Sequence, residues 1–214
     1  MCQFISAVVL KNGDVLSHPY LDSHSDLVKY FKLPDATAHH QHFAKVELTP
    51  VDWLDVSTWQ WKLDADTAPG WWDDVKAQAE STLRARAEKM ILKTGTHELI
   101  VDGCWIVGGD AVVRDIRSGW IRRVQDKGQL INVRGSATVQ NVGDSATVRD
   151  VGGSATVRDV WDSATVQNVR GSAYDAVTLD ASAKAHLFPA PVVKPKRAAK
   201  KPTVKKVGAK ERKA

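Results

Sequence analysis

The sequence predicts an α+β amino-terminal domain, a short β-solenoid and a disordered basic tail. Three observations point there. Residues 135–173 read GSATVQNVG, DSATVRDVG, GSATVRDVW, DSATVQNVR, GSA, one nine-residue phrase said four times and begun a fifth. Self-similarity at so short a fixed period marks a chain that coils on itself. Residues 1–108 instead mix β-branched runs with one long helical rhythm, and residues 191–214 are almost wholly Lys, Ala, Pro and Val.

In the amino-terminal domain, residues 2–10 (CQFISAVVL) are rich in β-branched residues and lead to Asn12-Gly13, a two-residue hairpin signal, with a return strand at 14–16. Asp22 or Ser23 can cap a helix carrying Leu27, Val28, Tyr30 and Phe31, which must stop by Pro34. Residues 43–48 (FAKVEL) and 59–63 (WQWKL) alternate as strands, the second with Trp59, Trp61 and Leu63 on one face. The run 71–93 reads as a long helix: Pro69 precedes it, Asp73 and Asp74 fall in its first turn, and Gly95 follows its end. Its buried stripe is Val75, Ala79, Leu83, Ala87, Met90 and Ile91. Strands at 99–101 and 104–107 then lead into the solenoid.

Within the repeat, Ala137 and Val139 flank Thr138, so an extended strand puts both on one face, and that face must turn inward. The pair recurs as Ala146/Val148, Ala155/Val157 and Ala164/Val166, and a second column, Val142, Val151, Val160 and Val169, follows three residues later. A three-residue step breaks the alternation, so the chain bends between the valines. Gly143, Gly152, Gly153 and Gly171 mark tight turns. Nine residues cannot encircle a filled core, which implies two phrases per coil, with three as the alternative. Two per coil also stacks Gln140-Asn141, Arg149-Asp150, Arg158-Asp159 and Gln167-Asn168 as a polar column of hydrogen bonds and Arg–Asp pairs. Tracing Val113, Ile121 and Leu130 back from Val139 starts the solenoid near Asp110, giving boundaries of 109–175 and a stack about 17 Å long at roughly 4.8 Å per rung. Residues 176–190 are expected to cap its far end.

The net charge of +5 conceals a division. Residues 191–214 hold Lys194, Lys196, Arg197, Lys200, Lys201, Lys205, Lys206, Lys210, Arg212 and Lys213 against Glu211 alone, which is +9 and leaves −4 for residues 1–190. With no aromatic residue, this tail cannot bury enough surface to offset its ordering entropy, so it is expected to be disordered. Its cations suit sequence-independent, salt-sensitive contact with DNA or RNA.

The two cysteines, Cys2 and Cys104, form no disulfide framework and suit a reducing cytoplasm. The sequence has no basic segment leading an apolar run at its start and no stretch of about eighteen apolar residues, so no membrane partner is expected. If Met1 is removed, Cys2 becomes a candidate amino-terminal nucleophile with its own α-amino group as base, but no oxyanion-hole or substrate-amide motif accompanies it. His39, His40 and His42, with His18, His24 or Asp22, offer nitrogen and oxygen ligands without completing a metal-binding spacing, so neither a metal nor a cofactor is expected. Among the clustered tryptophans, Trp72 beside Asp73 and Asp74 is the candidate pocket, set against core packing for the rest. The Ser and Thr rows of the phrase are read as a soluble strand surface, and the phrase lacks the aspartates of a calcium roll.

The segments VELTPVDW at 46–53, TWQWKLDADTAPGWWDD at 58–74 and VDGCWIVGGDA at 101–111, followed by the GSATV phrase, resemble a family of uncharacterised proteins encoded by bacteriophages and prophages. In that family a small α/β domain with a P-x-W-[FW]-D segment precedes nonapeptide repeats. The resemblance covers residues 1–175, excludes the tail and carries no catalytic residue across. It implies a viral or mobile-element origin and a place in the cytoplasm of the infected or lysogenic cell. Two functions are thus expected as alternatives. One is a non-enzymatic binding or assembly module, its solenoid meeting a protein partner or a second copy; the other is a small cysteine-dependent hydrolase displayed on the solenoid.

Overall fold

The computed structural model describes residues 5–34, 42–65 and 67–170, with the backbone of two further strands, Thr178–Leu179 and Lys184–Leu187. Cys2, His39, His40, Gly171 and the tail lie outside the described residues.

The amino-terminal part is a four-stranded antiparallel sheet. It comprises β1 (Ile5–Leu10), β2 (Val15–Leu16), β3 (Phe43–Thr49) and β4 (Gln60–Leu63), in the order β2-β1-β3-β4. The turn between β1 and β2, closed by Leu10 and Asp14, has three residues rather than two. Gly13 N–H donates to Leu10 O and Leu10 N–H to Asp14 O, both at 2.9 Å, with Gly13 at φ +87°, where a side chain is disfavoured. Helix α1 (His24–Tyr30) follows Ser23 and packs Leu27 against Val8 and Phe43 on one face of the sheet.

The longer helix α2 (Trp72–Lys89) covers the other face. Its stripe Val75, Ala79, Leu83 and Ala87 meets Ala7, Val9, Ala44, Val46 and Leu48. Arg84 pins the loop before β4 by donating from Nη2 to Trp59 O at 2.8 Å and from Nη1 to Val56 O. The helix ends four residues before the expected Lys93. Met90 is its cap, and Ile91 and Leu92 leave as a strand because pairing with Ile106 and Val107 overrides their helical propensity.

From Ile91 the described strands form a two-sided β-solenoid. One parallel sheet contains β5 (Ile91–Leu92), β7 (Cys104–Val107), β9 (Trp120–Val124), β11 (Thr138–Val142), β13 (Thr156–Val160) and β15 (Thr178–Leu179). The other contains β6 (Thr96–Ile100), β8 (Val112–Ile116), β10 (Gln129–Val133), β12 (Thr147–Val151), β14 (Thr165–Val169) and β16 (Lys184–Leu187). Val139 pairs with Val157 and Val148 with Val166, so one coil is eighteen residues. Three coils, β9 to β14, keep that step, whereas Val107 lies opposite Val124 and Val112 opposite Gln129, each seventeen residues on, and a less regular coil stands at each end.

Both valine columns point inward. Val139, Val142, Val148, Val157, Val166 and Val169 are fully buried, and Ala137, Ala146, Ala155 and Ala164 fill the narrow sides at 0–1% exposure. Each buried valine contributes about 1.5–3 kcal/mol.

The solenoid is longer than the repeat suggested. It begins at β5 and β6 rather than near Asp110, and Thr178–Leu179 and Lys184–Leu187 meet its far end as two more strands. The second column runs upstream through Ile116 to Ile100 and through Val124 to Val107. The first column is interrupted there, with His97 opposite Val113 and Trp105 opposite Ile121, which is why these rungs carry no recognisable phrase. Six strands at about 4.8 Å span about 24 Å.

The corners also differ from expectation. Positive φ falls at Gly135 and Gly153 on one side and at Asp126, Asp144 and Asp162 on the other, whereas Gly143 is needed for room. A Cβ at Gly143 would lie 2.1 Å from Trp161 Nε1. At Gly135, φ is +64° and a Cβ would sit 2.2 Å from Arg117 O; at Gly153, φ is +68° and its nearest neighbour would be at 3.3 Å. Urea denaturation should therefore show Gly153→Ala losing about 1–2 kcal/mol from the left-handed backbone alone and Gly135→Ala losing more. Equal losses would mean that the Arg117 carbonyl yields freely.

Candidate functional site

The outward face of the solenoid is built from paired polar columns. On one sheet Asp115, Asn132, Asp150 and Asn168 follow one another rung by rung; on the other, Asn141 faces Asp159. Carboxylate alternates with amide, so like charges do not stack at strand spacing. Asn168 Nδ2 donates to Asp150 Oδ1 at 2.9 Å, and Asn141 Nδ2 donates to Arg122 O at 2.9 Å. Arg122 Nη1 likewise reaches Gln140 Oε1 at 3.2 Å. Among the described residues the contacts between coils are therefore mostly amide to carboxylate or carbonyl, and the expected Arg–Asp pairing takes the form of one knot.

That knot is Asp115. Arg134 grips it from the next coil, Nε to Oδ1 at 2.7 Å and Nη2 to Oδ2 at 2.6 Å, while Arg117 Nε reaches Oδ2 at 2.8 Å. Arg134, with help from Arg117, holds its carboxyl below the usual aspartate range. A second ladder runs down one corner. Gly109 N–H donates to Asp126 Oδ2 at 3.2 Å, Asp126 N–H to Asp144 Oδ2 at 3.2 Å, and Asp144 N–H to Asp162 Oδ2 at 3.4 Å.

A cleft of about 200 Å³ opens where the amino-terminal sheet and α2 meet β7 and β9. Ile5, Leu21 and Met90 give it apolar walls, and Arg86, Lys89 and Arg122 add positive charge. Arg86 Nη1 is already bound to Val15 O at 2.8 Å and Ser17 Oγ at 3.0 Å, and the Arg122 guanidinium stands 4.8 Å from the Trp120 ring centroid. Such a cleft can take an apolar group with an acidic end. Cys104 also lines it, but burial pushes its thiol up, against the opposing pull of Arg122, and a neutral thiol is a poor nucleophile.

The two parts are locked together around this cleft. Gly103 N–H donates to Tyr20 Oη at 2.7 Å, and Tyr20 Oη donates to Asp102. Arg123 lies between two indoles, 5.5 Å from the Trp53 centroid and 5.3 Å from that of Trp161. Ile106 is buried in the amino-terminal core although it belongs to a solenoid strand, because the register shifts between Trp105 and Ile106.

The residues singled out in the sequence separate. Trp72 is 7% exposed and stacks on Trp61, with centroids 6.2 Å apart and planes at 9°, so its ring is used in packing. Asp73 faces solvent and holds Lys76 Nζ at 2.6 Å, while Asp74 is exposed in the first turn of α2. The three do not converge on one cavity. Cys2 and all ten tail cations lie outside the described residues, as do His39 and His40. His18 lines the cleft, and its Nδ1 accepts the Tyr20 N–H at 3.2 Å. The cleft had no sequence signal, because its walls come from β1, the loop before α1, the end of α2 and two solenoid strands.

Asp115 gives a pH dependence of definite sign. Its folded pKa is lowered, so the stability it adds is complete above the ordinary aspartate value of about 3.9 and is lost as pH falls through the lowered one. Denaturation curves taken from pH 7 to pH 2 should show Asp115→Asn flattening the acid limb below about pH 4 and leaving the slope above it unchanged. An acid limb identical to that of the unsubstituted protein would deny the knot any energetic role.

Compared with protein-family models, curated proteins and solved structures, the chain finds no match in any of the three.

Proposed function

We propose that the protein is a non-enzymatic binding or assembly module of the type that bacteriophages and prophages encode, acting in the cytoplasm of the host cell. The amino-terminal domain closes one end of a rigid solenoid, the solenoid offers a regular polar surface to a protein partner or a second copy, and the tail tethers the whole to nucleic acid. One observation carries the reading: ten of the thirty Lys and Arg residues fall in residues 191–214, with Glu211 the single acid among them. A segment of that charge displaces counterions from a polyanion without reading its bases.

The solenoid supports the reading through its rigidity. Its polar columns satisfy one another across coils, which favours a fixed display surface over a moving catalytic one. The described helices include none long and apolar enough to cross a membrane.

Binding of the full chain to a fluorescent DNA duplex, followed by anisotropy, tests the tail. Affinity should be indifferent to base sequence and fall by about 10³-fold or more between 50 and 200 mM salt. Removal of residues 191–214 should abolish it at every salt concentration. A truncated chain that binds as tightly, with the same salt dependence, would overturn the assignment.

A further inference from the structure

His24, Glu47 and Asp64 are distant in the chain but meet on the face of the amino-terminal sheet that carries α1. Their ligand atoms lie within 4.8 Å of one another. His24 is only 5% exposed; its Nε2 is 3.0 Å from the carbonyl oxygen of Val46, and its Nδ1 is 3.1 Å from Asp64 Oδ2.

A carbonyl oxygen can only accept, so Nε2 carries a proton and donates it. In a neutral ring that leaves a lone pair on Nδ1, aimed at one carboxylate with a second beside it. Electron-rich atoms gathered this closely require positive charge among them, either a further ring proton or a cation.

Charge matching favours the cation. An imidazolium needs one carboxylate, and Asp64 suffices; Glu47, half-buried on β3, brings the negative charge to two. Lys62, opposite Glu47 on β4, is exposed to solvent. The Nε2–H···O=C bond is moreover the support that a metal-ligating imidazole ordinarily has, since it fixes both the tautomer and the ring plane.

We propose that His24 Nδ1, Glu47 and Asp64 bind one divalent transition-metal ion of the zinc class, with water completing the coordination. The nitrogen ligand selects this class over magnesium or calcium, which take oxygen. Ligand atoms about 2.1 Å from a tetrahedral zinc stand about 3.4 Å apart, close to the 3.1 Å between Nδ1 and Oδ2. The site is held from three directions: α1 carries His24, β3 carries Glu47, and Asp64 is anchored by its own N–H donating to Lys45 O at 2.8 Å. Asp64 is 45% exposed, which gives an ion a route in from solvent. This inference is independent of the tail and of nucleic-acid binding.

The test uses the full chain stripped with chelator and titrated with zinc chloride alone, read by calorimetry and by thermal melting, with cobalt(II) absorption reporting nitrogen and oxygen coordination. One equivalent should bind and raise Tm. Glu47→Gln and Asp64→Asn should each weaken binding by about tenfold or more, and His97→Ala, on a different strand, should leave it unchanged. Melting of each metal-free variant shows that it folds. Absence of saturable binding, as for a plain imidazolium–aspartate pair, overturns the proposal; so does zinc affinity undiminished in the Glu47→Gln/Asp64→Asn double variant, which would place the metal on other histidines.

Discussion

The structure depends on two inward-facing columns of branched aliphatic side chains in each sheet. Val139 and Val142 on one wall, and Val148 and Val151 on the other, pack into one apolar core between the sheets, and the small Ala137 and Ala146 let the walls close at the narrow sides. The two valines of a strand are three apart and both face inward, so every strand must bend at the two polar residues between them. That bend brings Asn141, Asp150 and Asn168 to the surface as stacked columns. Packing and surface chemistry thus follow from one spacing.

The eighteen-residue coil is also an electrostatic solution. With two phrases per coil, Gln-Asn units lie over Arg-Asp units throughout the repeat. A nine-residue step would set Arg149 over Arg158 and Asp150 over Asp159, like charges about 4.8 Å apart. The corner aspartates are the exception, and there each carboxylate accepts a backbone N–H from the neighbouring coil and stays in solvent. Upstream, where the phrase fades, specific contacts take over: Arg134 and Arg117 on Asp115, and Arg123 between Trp53 and Trp161.

Much of this architecture was legible because periodicity is a property of sequence. The valine columns, the coil length, the hairpin at Asn12-Gly13, the stripe of α2 and the facing of Trp59 all follow from spacing. What stayed hidden lay where partners, rather than neighbours, decide. Ile91 and Leu92 continue a helical rhythm until Ile106 and Val107 offer them a sheet. His97 and Trp105 mask two rungs by occupying valine positions. Aspartate in the left-handed corner is invisible without knowing that the N–H above it needs an acceptor. The cleft and the His24 cluster draw on segments distant in the chain, and no local pattern announces either. Trp72 illustrates the converse: a tryptophan beside two acids suggested a pocket, but the ring's large apolar area is used against Trp61.

The unlike corners carry a consequence for how such a gene can change. Loss of one phrase by unequal recombination would place Asn141 over Asn168 and Gly135 over Asp162, and would move Trp161 away from the notch at Gly143. Gain or loss of two phrases keeps aspartate corner over aspartate corner and glycine corner over glycine corner, although the amide–carboxylate alternation returns only after four. Length in this module is therefore quantised in doublets, and natural variants of different reach should differ by multiples of one full coil.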